Sequence, residues 1–316
     1  MRIVISEFID DAALASLAAD FDVRYDSDLV ERPSELESEL ADADALIVRN
    51  RTIVDAALLA AAPRLKVVGR LGVGLDNIDL PACAARAIDV MPATGGNARA
   101  VAEYVITVAL LLRRGAYEAT AAVAAGEWPR AALSRGRELA GSTLGVVGFG
   151  SIGRLVAELA SALGVRVVGC DVAIPDHSPL WSEARAAPRS LDPLLREADI
   201  VSLHLPLVAA TRGLIDARRL TLMKPDAILI NTSRGGIVDE PALAAALRAG
   251  RLAGAALDVF AREPLAAAGV LDGCPHLLLT PHIAGVTRES NVRVSALVAD
   301  AVAGVLRRRG SADAHA

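Results

Sequence analysis

The chain has 316 residues, 53% hydrophobic but only 3% aromatic, and its 33 Lys and Arg against 38 Asp and Glu leave a formal net charge of −5. That length allows two buried cores, the acidic balance argues against a nucleic-acid surface, and the best apolar run, residues 101–112, carries Glu103 and is too short to span a membrane. Cys83, Cys170 and Cys274 are odd in number and widely spaced, which suggests neither a disulfide framework nor a zinc site and fits a reducing cytoplasm.

The chain enters Arg2-Ile3-Val4-Ile5 directly, which predicts a strand and not a charged-then-apolar leader. Further strands are predicted at 22–25, 45–48, 66–69 and 88–90, with helices over 11–19 and 33–40 between them, the alternation of a parallel sheet. Thr94-Gly95-Gly96-Asn97 precedes a helix over 98–113, with Asn97 suited to cap it. Residues 115–139 are longer than a simple connection needs and hold Trp128-Pro129, and Trp is enriched at interfaces. Strands at 143–147, 166–170, 199–203, 227–230, 254–257 and 277–279 then fill a six-stranded dinucleotide-binding sheet. Residues 175–190 read as a surface connection. A last helix over 288–308 follows the finished sheet and returns to the first domain, with a frayed tail after Arg307-Arg308-Arg309. The fold class is therefore α/β with two doubly wound parallel-sheet domains. A Rossmann domain over 99–285 is inserted into a flavodoxin-like domain built from 1–98 and 286–316.

The chemistry concentrates after the strands. Gly148-Phe149-Gly150-Ser151-Ile152-Gly153 lies between a predicted strand and a predicted helix. Gly148 permits the tight turn, Gly150 lets backbone amides approach a pyrophosphate, and Gly153 lets helix and strand pack closely. The helix N-terminus offers unpaired N–H groups and a positive dipole end to the phosphates. Asp171, at the end of the next strand, would accept hydrogen bonds from ribose hydroxyls and repel a 2′-phosphate, favouring NAD over NADP. A glycine triplet alone is often an ordinary turn, but here the strand, the helix and the acidic residue are all in place. Arg234, in Asn231-Thr232-Ser233-Arg234-Gly235-Gly236, stands where a guanidinium can clamp a carboxylate. Glu263 and His282 each follow a predicted strand, and a carboxylate beside His would hold its tautomer and favour its charged form.

Together with residues 69–79 and 97–103, these segments resemble the D-isomer-specific 2-hydroxyacid dehydrogenase family over essentially the whole chain. The resemblance implies Arg234, Glu263 and His282 as the catalytic trio, in a hydride transfer with NAD and no metal. It implies that the Val73 and Gly74 amides bind the substrate carboxylate and that Asp258 holds the nicotinamide carboxamide. Leu205 and Pro206 would line the adenine side, and Ser151, Ile152, Thr232, Ser233, Arg234 and His282 complete the cofactor contacts. Asn97 is a further substrate candidate beside its capping role. Glu263 stands where the formate-oxidising members carry Gln, which favours hydroxy-acid chemistry. Arg51, in Arg49-Asn50-Arg51-Thr52, would add a second cation, suggesting a small anionic substrate of the sulfolactate, phosphoglycerate, glycerate or glycolate type. A cleft between the domains is expected to close by hinging near Asn97 and Val286, and the chain, ending soon after Arg309, is expected to lack a C-terminal regulatory domain; the resemblance implies a homodimer formed through residues 115–139. The other reading on this fold is an NADH-sensing corepressor-like binding module.

Overall fold

Short apolar runs with no polar face, such as Ala45-Leu46-Ile47-Val48, suit only a sheet covered by helices on both sides. A computed structural model, which describes residues 1–313, places them so. The chain divides into two units, Met1–Asn97 together with the chain from Val286 onward, and Ala98–Gly285.

The first unit has five parallel strands, β1 (Arg2–Ile5), β2 (Asp22–Tyr25), β3 (Ala45–Val48), β4 (Val67–Arg70) and β5 (Asp89–Pro92), in the order β2-β1-β3-β4-β5. Alternation along β1 sends Ile3 and Ile5 into one core and Val4 into another. The Ile3 side is closed by the C-terminal helix Arg288–Asp313 through Val298, Val302 and Leu306. That helix lies so close to β4 that a Cβ on Gly69 would fall 2.7 Å from both Val298 and Val302. Asp10, Asp55 and Asp79 start three of the helices by accepting first-turn amides.

The second unit has seven parallel strands. They are β6 (Thr143–Val147), β7 (Arg166–Cys170), β8 (Ala186–Pro188), β9 (Ile200–Leu203), β10 (Ile228–Asn231), β11 (Gly254–Leu257) and β12 (Leu277–Leu279), ordered β12-β11-β10-β9-β6-β7-β8. β6 pairs with both β7 and β9, so the strand order reverses on either side of it. The crevice at such a reversal is where open α/β sheets bind ligands.

Three expectations need correction. Residues 175–190 are not a bare connection: they hold a short helix, Pro179–Glu183, and the seventh strand β8. Trp181 from that helix is buried, stacks 4.4 Å from Phe149, and covers Gly169, where a Cβ would meet its ring at 2.4 Å. Ala186-Ala187-Pro188 has no β-branched residue to announce a strand, and its place depends on pairing with β7. The last helix runs to Asp313, so the chain just after Arg309 is helical; the rest of the frayed-tail expectation, 314–316, lies outside the described residues. Finally, Asn97 does not cap its helix through Oδ1, which is buried and meets no donor among the described residues. No helix among these residues is long and apolar enough to cross a membrane.

Candidate active site

The glycine turn after β6 is shaped by contact on two sides. Gly148 has φ +92°, and a Cβ there would lie 2.2 Å from the carbonyl oxygen of His204, in the loop after β9. A Cβ on Gly153 would lie 2.2 Å from the Gly148 carbonyl oxygen, so the helix Ser151–Ala162 can approach the turn only without a side chain there. Gly150 is different: a Cβ there would meet nothing within 4 Å, which leaves that face open. The helix begins at Gly150 with no side chain capping it, so its first-turn amides remain for an anion. Asp171 accepts the Phe149 amide at 2.7 Å and the Ala173 amide at 2.9 Å, which ties the turn to the end of β7. These residues fit a dinucleotide: the turn is open where a pyrophosphate would lie, and each Asp171 oxygen keeps acceptor capacity beyond its one amide. Leu205 and Pro206 follow His204 on the other side of the reversal.

Arg234 stands on a turn built by Asn231 at the end of β10. The Asn231 side chain accepts from the Ser233 amide and hydroxyl and donates to the Arg234 carbonyl at 2.9 Å. The next residue, Gly235, touches the 260–261 backbone so closely that a Cβ would overlap the Phe260 carbonyl, at 1.8 Å. Asn231 was not among the sequence candidates, although its position at a strand end before Ser-Arg-Gly could have marked it. Thr232 holds a buried Oγ1 with no hydrogen-bond partner among the described residues.

Glu263 and His282 meet directly. One Glu263 oxygen accepts from the Phe260 amide at 3.1 Å, and the other lies 2.8 Å from His282 Nδ1. With Nδ1–H committed to the carboxylate, Nε2 is the nitrogen left to exchange a proton. The pair is partly exposed, 46% for the His282 side chain and 35% for Glu263, so substrate can reach it. His204 is a contrast. Burial pushes it down to about 4, and its Nε2 lies 2.9 Å from the Ser202 hydroxyl, so it stays neutral near pH 7.

Asp258, only 1% exposed, does not reach out alone. Its carboxylate accepts from the Ile283 and Ala284 amides, each at 2.8 Å, and from the Thr280 hydroxyl at 2.6 Å. Residues 280–284 are thus wrapped on this side chain, and its remaining acceptor capacity is what a carboxamide could use.

In the first unit, the loop after β3 encloses a buried carboxylate. Glu7 accepts the amides of Arg49, Asn50, Arg51 and Thr52 at 2.8–3.3 Å, and Asn77 donates to the Thr52 carbonyl. The two arginines of this loop differ. Arg51 is exposed and pairs with Glu31, also exposed. Arg49 is half-buried against the Phe8 ring, donates to Asn291 at 2.9 Å, and is pushed below the usual arginine range by desolvation. Val73 and Gly74 are partly exposed in the loop after β4, where Arg70 lies across Gly72.

The chain has relatives among known proteins. Residues 106–284 match the family model described as D-isomer specific 2-hydroxyacid dehydrogenase, NAD binding domain. The chain is 55% identical over 300 residues to an (S)-sulfolactate dehydrogenase of Chromohalobacter salexigens, covering 95% of this chain and 96% of that protein. It is 40% identical over 307 residues to a D-3-phosphoglycerate dehydrogenase of Mycobacterium leprae, covering 95% of this chain but 56% of the relative, so the chain spans about half of that protein. Among solved structures, a D-lactate dehydrogenase of Aquifex aeolicus complexed with NAD and lactic acid superposes with a TM-score of 0.83 at 30% identity, covering 97% of this chain and 96% of the other.

Asp171→Ala is expected to weaken NADH binding and to narrow the preference for NAD over NADP by about tenfold or more, since a charged acceptor is lost and the turn loses its tie. Fluorescence titration and the ratio of kcat/KM for the two cofactors measure this. An unchanged ratio would show that Asp171 does not read the ribose.

Proposed function

The chain belongs to the D-isomer-specific 2-hydroxyacid dehydrogenase family, an NAD-dependent oxidoreductase acting on CH–OH donors, and from that premise we propose how its residues interconvert a 2-oxo acid and its 2-hydroxy acid. The observation that carries this reading is the 2.8 Å contact between Glu263 and His282 Nδ1. Bound NADH supplies the hydride. Glu263 stabilises the imidazolium, and Nε2–H of His282 hydrogen-bonds the carbonyl oxygen, lowers the cost of charge building there and delivers the proton. In oxidation neutral His282 takes the proton back. Arg234, held by the Asn231 turn, orients the 2-oxo acid through its carboxylate. We assign the Val73 and Gly74 amides to the same carboxylate, and the orphaned Oδ1 of Asn97 to a donor on the substrate. Ser151, Ile152 and Ser233 are assigned to the cofactor with the glycine turn, Leu205 and Pro206 to its adenine, and Thr232 and Asp258 to the nicotinamide carboxamide. His204, lowered by burial, is a neutral imidazole near pH 7 and so offers no imidazolium proton.

His282→Ala is expected to lower kcat by about a hundred- to ten-thousandfold, the usual worth of a positioned acid or base, with NADH affinity nearly intact. Arg234→Ala should raise KM as well as lower kcat, because it acts on both binding and orientation. Normal turnover in either variant would overturn the assignment.

For the substrate we propose a 2-hydroxy acid with a second anionic group, a sulfonate first. The extensive likeness to the sulfolactate dehydrogenase supports this, and so does a second cation in the first unit. Arg49, rather than Arg51, is the better candidate for that cation. An exposed pair such as Arg51–Glu31 gains little from desolvation, whereas the half-buried Arg49 gains a charge partner where water is scarce. Arg49→Ala should lower kcat/KM for sulfopyruvate by about ten- to a hundredfold, the worth of a charge-assisted hydrogen bond, and leave glyoxylate little changed, while Arg51→Ala should do less. A preference for glyoxylate or hydroxypyruvate that ignores both arginines would end the second-anion reading.

We also assign a homodimer formed through residues 115–139 and, in keeping with three free thiols, a cytoplasmic setting. The short helices Thr120–Ala124 and Arg130–Leu133 leave Tyr117, Val123 and Trp128 exposed, Trp128 to 78%, so the tryptophan does not pack on its own chain. Exposed apolar side chains of this size within one short segment suit a contact surface. Light scattering at micromolar concentration should return twice the subunit mass, falling toward one subunit in Trp128→Asp; a single-subunit mass in the unaltered protein would remove the assignment.

A further inference from the structure

We propose that Tyr104 and Thr280 are positioning residues for His282: a directed hydrogen-bond chain from Tyr104 through Thr280 to the Asp258 carboxylate holds the loop that aims the imidazole. This rests on the acid–base reading of His282 given above. The chain starts from strand register. Leu257 pairs with Leu279, so the residues just beyond the ends of β11 and β12, Asp258 and Thr280, emerge side by side. Thr280 Oγ1 lies 2.6 Å from Asp258 Oδ1 and 2.6 Å from the Tyr104 hydroxyl, which comes from the helix Ala98–Arg114.

The direction of the chain is set by proton count. A threonine hydroxyl has one proton, and an ionised carboxylate can only accept. Thr280 therefore donates to Asp258 and must accept from Tyr104. Tyrosine is suited to this end: burial and the neighbouring Asp258 charge hold its hydroxyl above the ordinary value, so it keeps the proton it donates. Each link in such a chain polarises the next.

What the chain holds is strained. His282 has φ +53°, a left-handed conformation that a residue with a Cβ adopts only when its surroundings impose it. Those surroundings are Asp258 and Thr280. The His282 amide donates to the carbonyls of both, at 2.9 and 3.0 Å, while the Ile283 and Ala284 amides are taken by the Asp258 carboxylate. The backbone on either side of His282 is thus fastened to one buried group, and Thr280 and Tyr104 fix where that group sits. Glu263 orients the ring from the other end. Neither Tyr104 nor Thr280 need touch the reacting atoms.

The test separates shape from hydrogen bonding. Thr280→Val keeps the branched shape and removes the hydroxyl; Thr280→Ser keeps the hydroxyl. Thr280→Val is expected to lower kcat about ten- to a hundredfold, as a small misplacement of a reacting group does. KM for the 2-oxo acid should be unchanged, and the solvent deuterium isotope effect on kcat should rise as proton delivery becomes limiting. Thr280→Ser should restore kcat. Tyr104→Phe should show the same split at about two- to tenfold, the worth of one hydrogen bond, and carries the test if Thr280→Val does not fold. Unchanged kcat in the valine and phenylalanine variants, failure of serine to rescue, or a parallel rise in KM for the 2-oxo acid would overturn the proposal. His282→Ala serves as the separate control. If it retains turnover, the acid–base reading itself has failed; if it is inactive while Tyr104→Phe and Thr280→Val are normal, only the positioning chain has.

Discussion

A buried carboxylate without donors costs several kcal/mol, so one that persists must gather hydrogen bonds around it. Asp258 meets this requirement with the amides of Ile283 and Ala284 and the hydroxyl of Thr280. Satisfying the charge therefore folds the loop, and folding the loop sets His282. The arrangement explains how a partly exposed histidine can sit in a strained backbone conformation without drifting from Glu263. The electrostatics of an interior residue are converted into the geometry of a surface one. Glu7 follows the same rule in the first unit, where one carboxylate closes the Arg49–Thr52 loop by accepting four consecutive amides.

The glycine turn after β6 depends on close approach and not on charge. Three glycines around the cofactor turn have different reasons to lack a side chain. At Gly148 and Gly153 a Cβ would run into backbone oxygen at 2.2 Å, while at Gly150 a Cβ would occupy open space. The first two let strand, turn and helix nest; the third keeps a face clear. Gly235 belongs with the first kind, since it brings the Arg234 turn against the Phe260 carbonyl. Parallel strands make this economy possible. All seven run the same way, so the loops that hold the glycine turn, Arg234, Glu263 and His282 leave the same edge of that sheet.

Much of this was legible in the chain itself, for local reasons. Apolar runs of four or five residues between helical segments mark parallel strands because both faces must be buried, and the observed strands differ from the predicted ones by a residue or two at their ends. The glycine spacing, the acidic residue after β7 and the Arg, Glu and His segments were readable because each needs a particular residue type at a particular backbone position. β8 was not readable. Ala186-Ala187-Pro188 has no strand signal of its own and becomes a strand because Val167, Val168 and Gly169 offer it an edge. Asn97 looked like a helix cap, yet whether its oxygen finds an amide depends on the path of the preceding turn, and here it does not.

The two arginines beside Asn50 show the same division most clearly. Sequence places both in one loop with the same charge and cannot rank them; burial ranks them, since Arg49 lies against Phe8 and Asn291 while Arg51 is left in solvent with Glu31. Asn291 is 242 residues from Arg49, and Tyr104 is 176 from Thr280. By itself, the sequence determined what is set by neighbours along the chain: the strand–turn–helix units, the glycine turn, and the segments after the strands that carry Glu263 and His282. Only the tertiary structure decided what depends on contacts between distant segments, namely which buried groups find partners, which cation is desolvated, and which hydroxyls hold the histidine loop. Hydrogen bonding and desolvation act over a few ångströms of space, and no local pattern of residues encodes them.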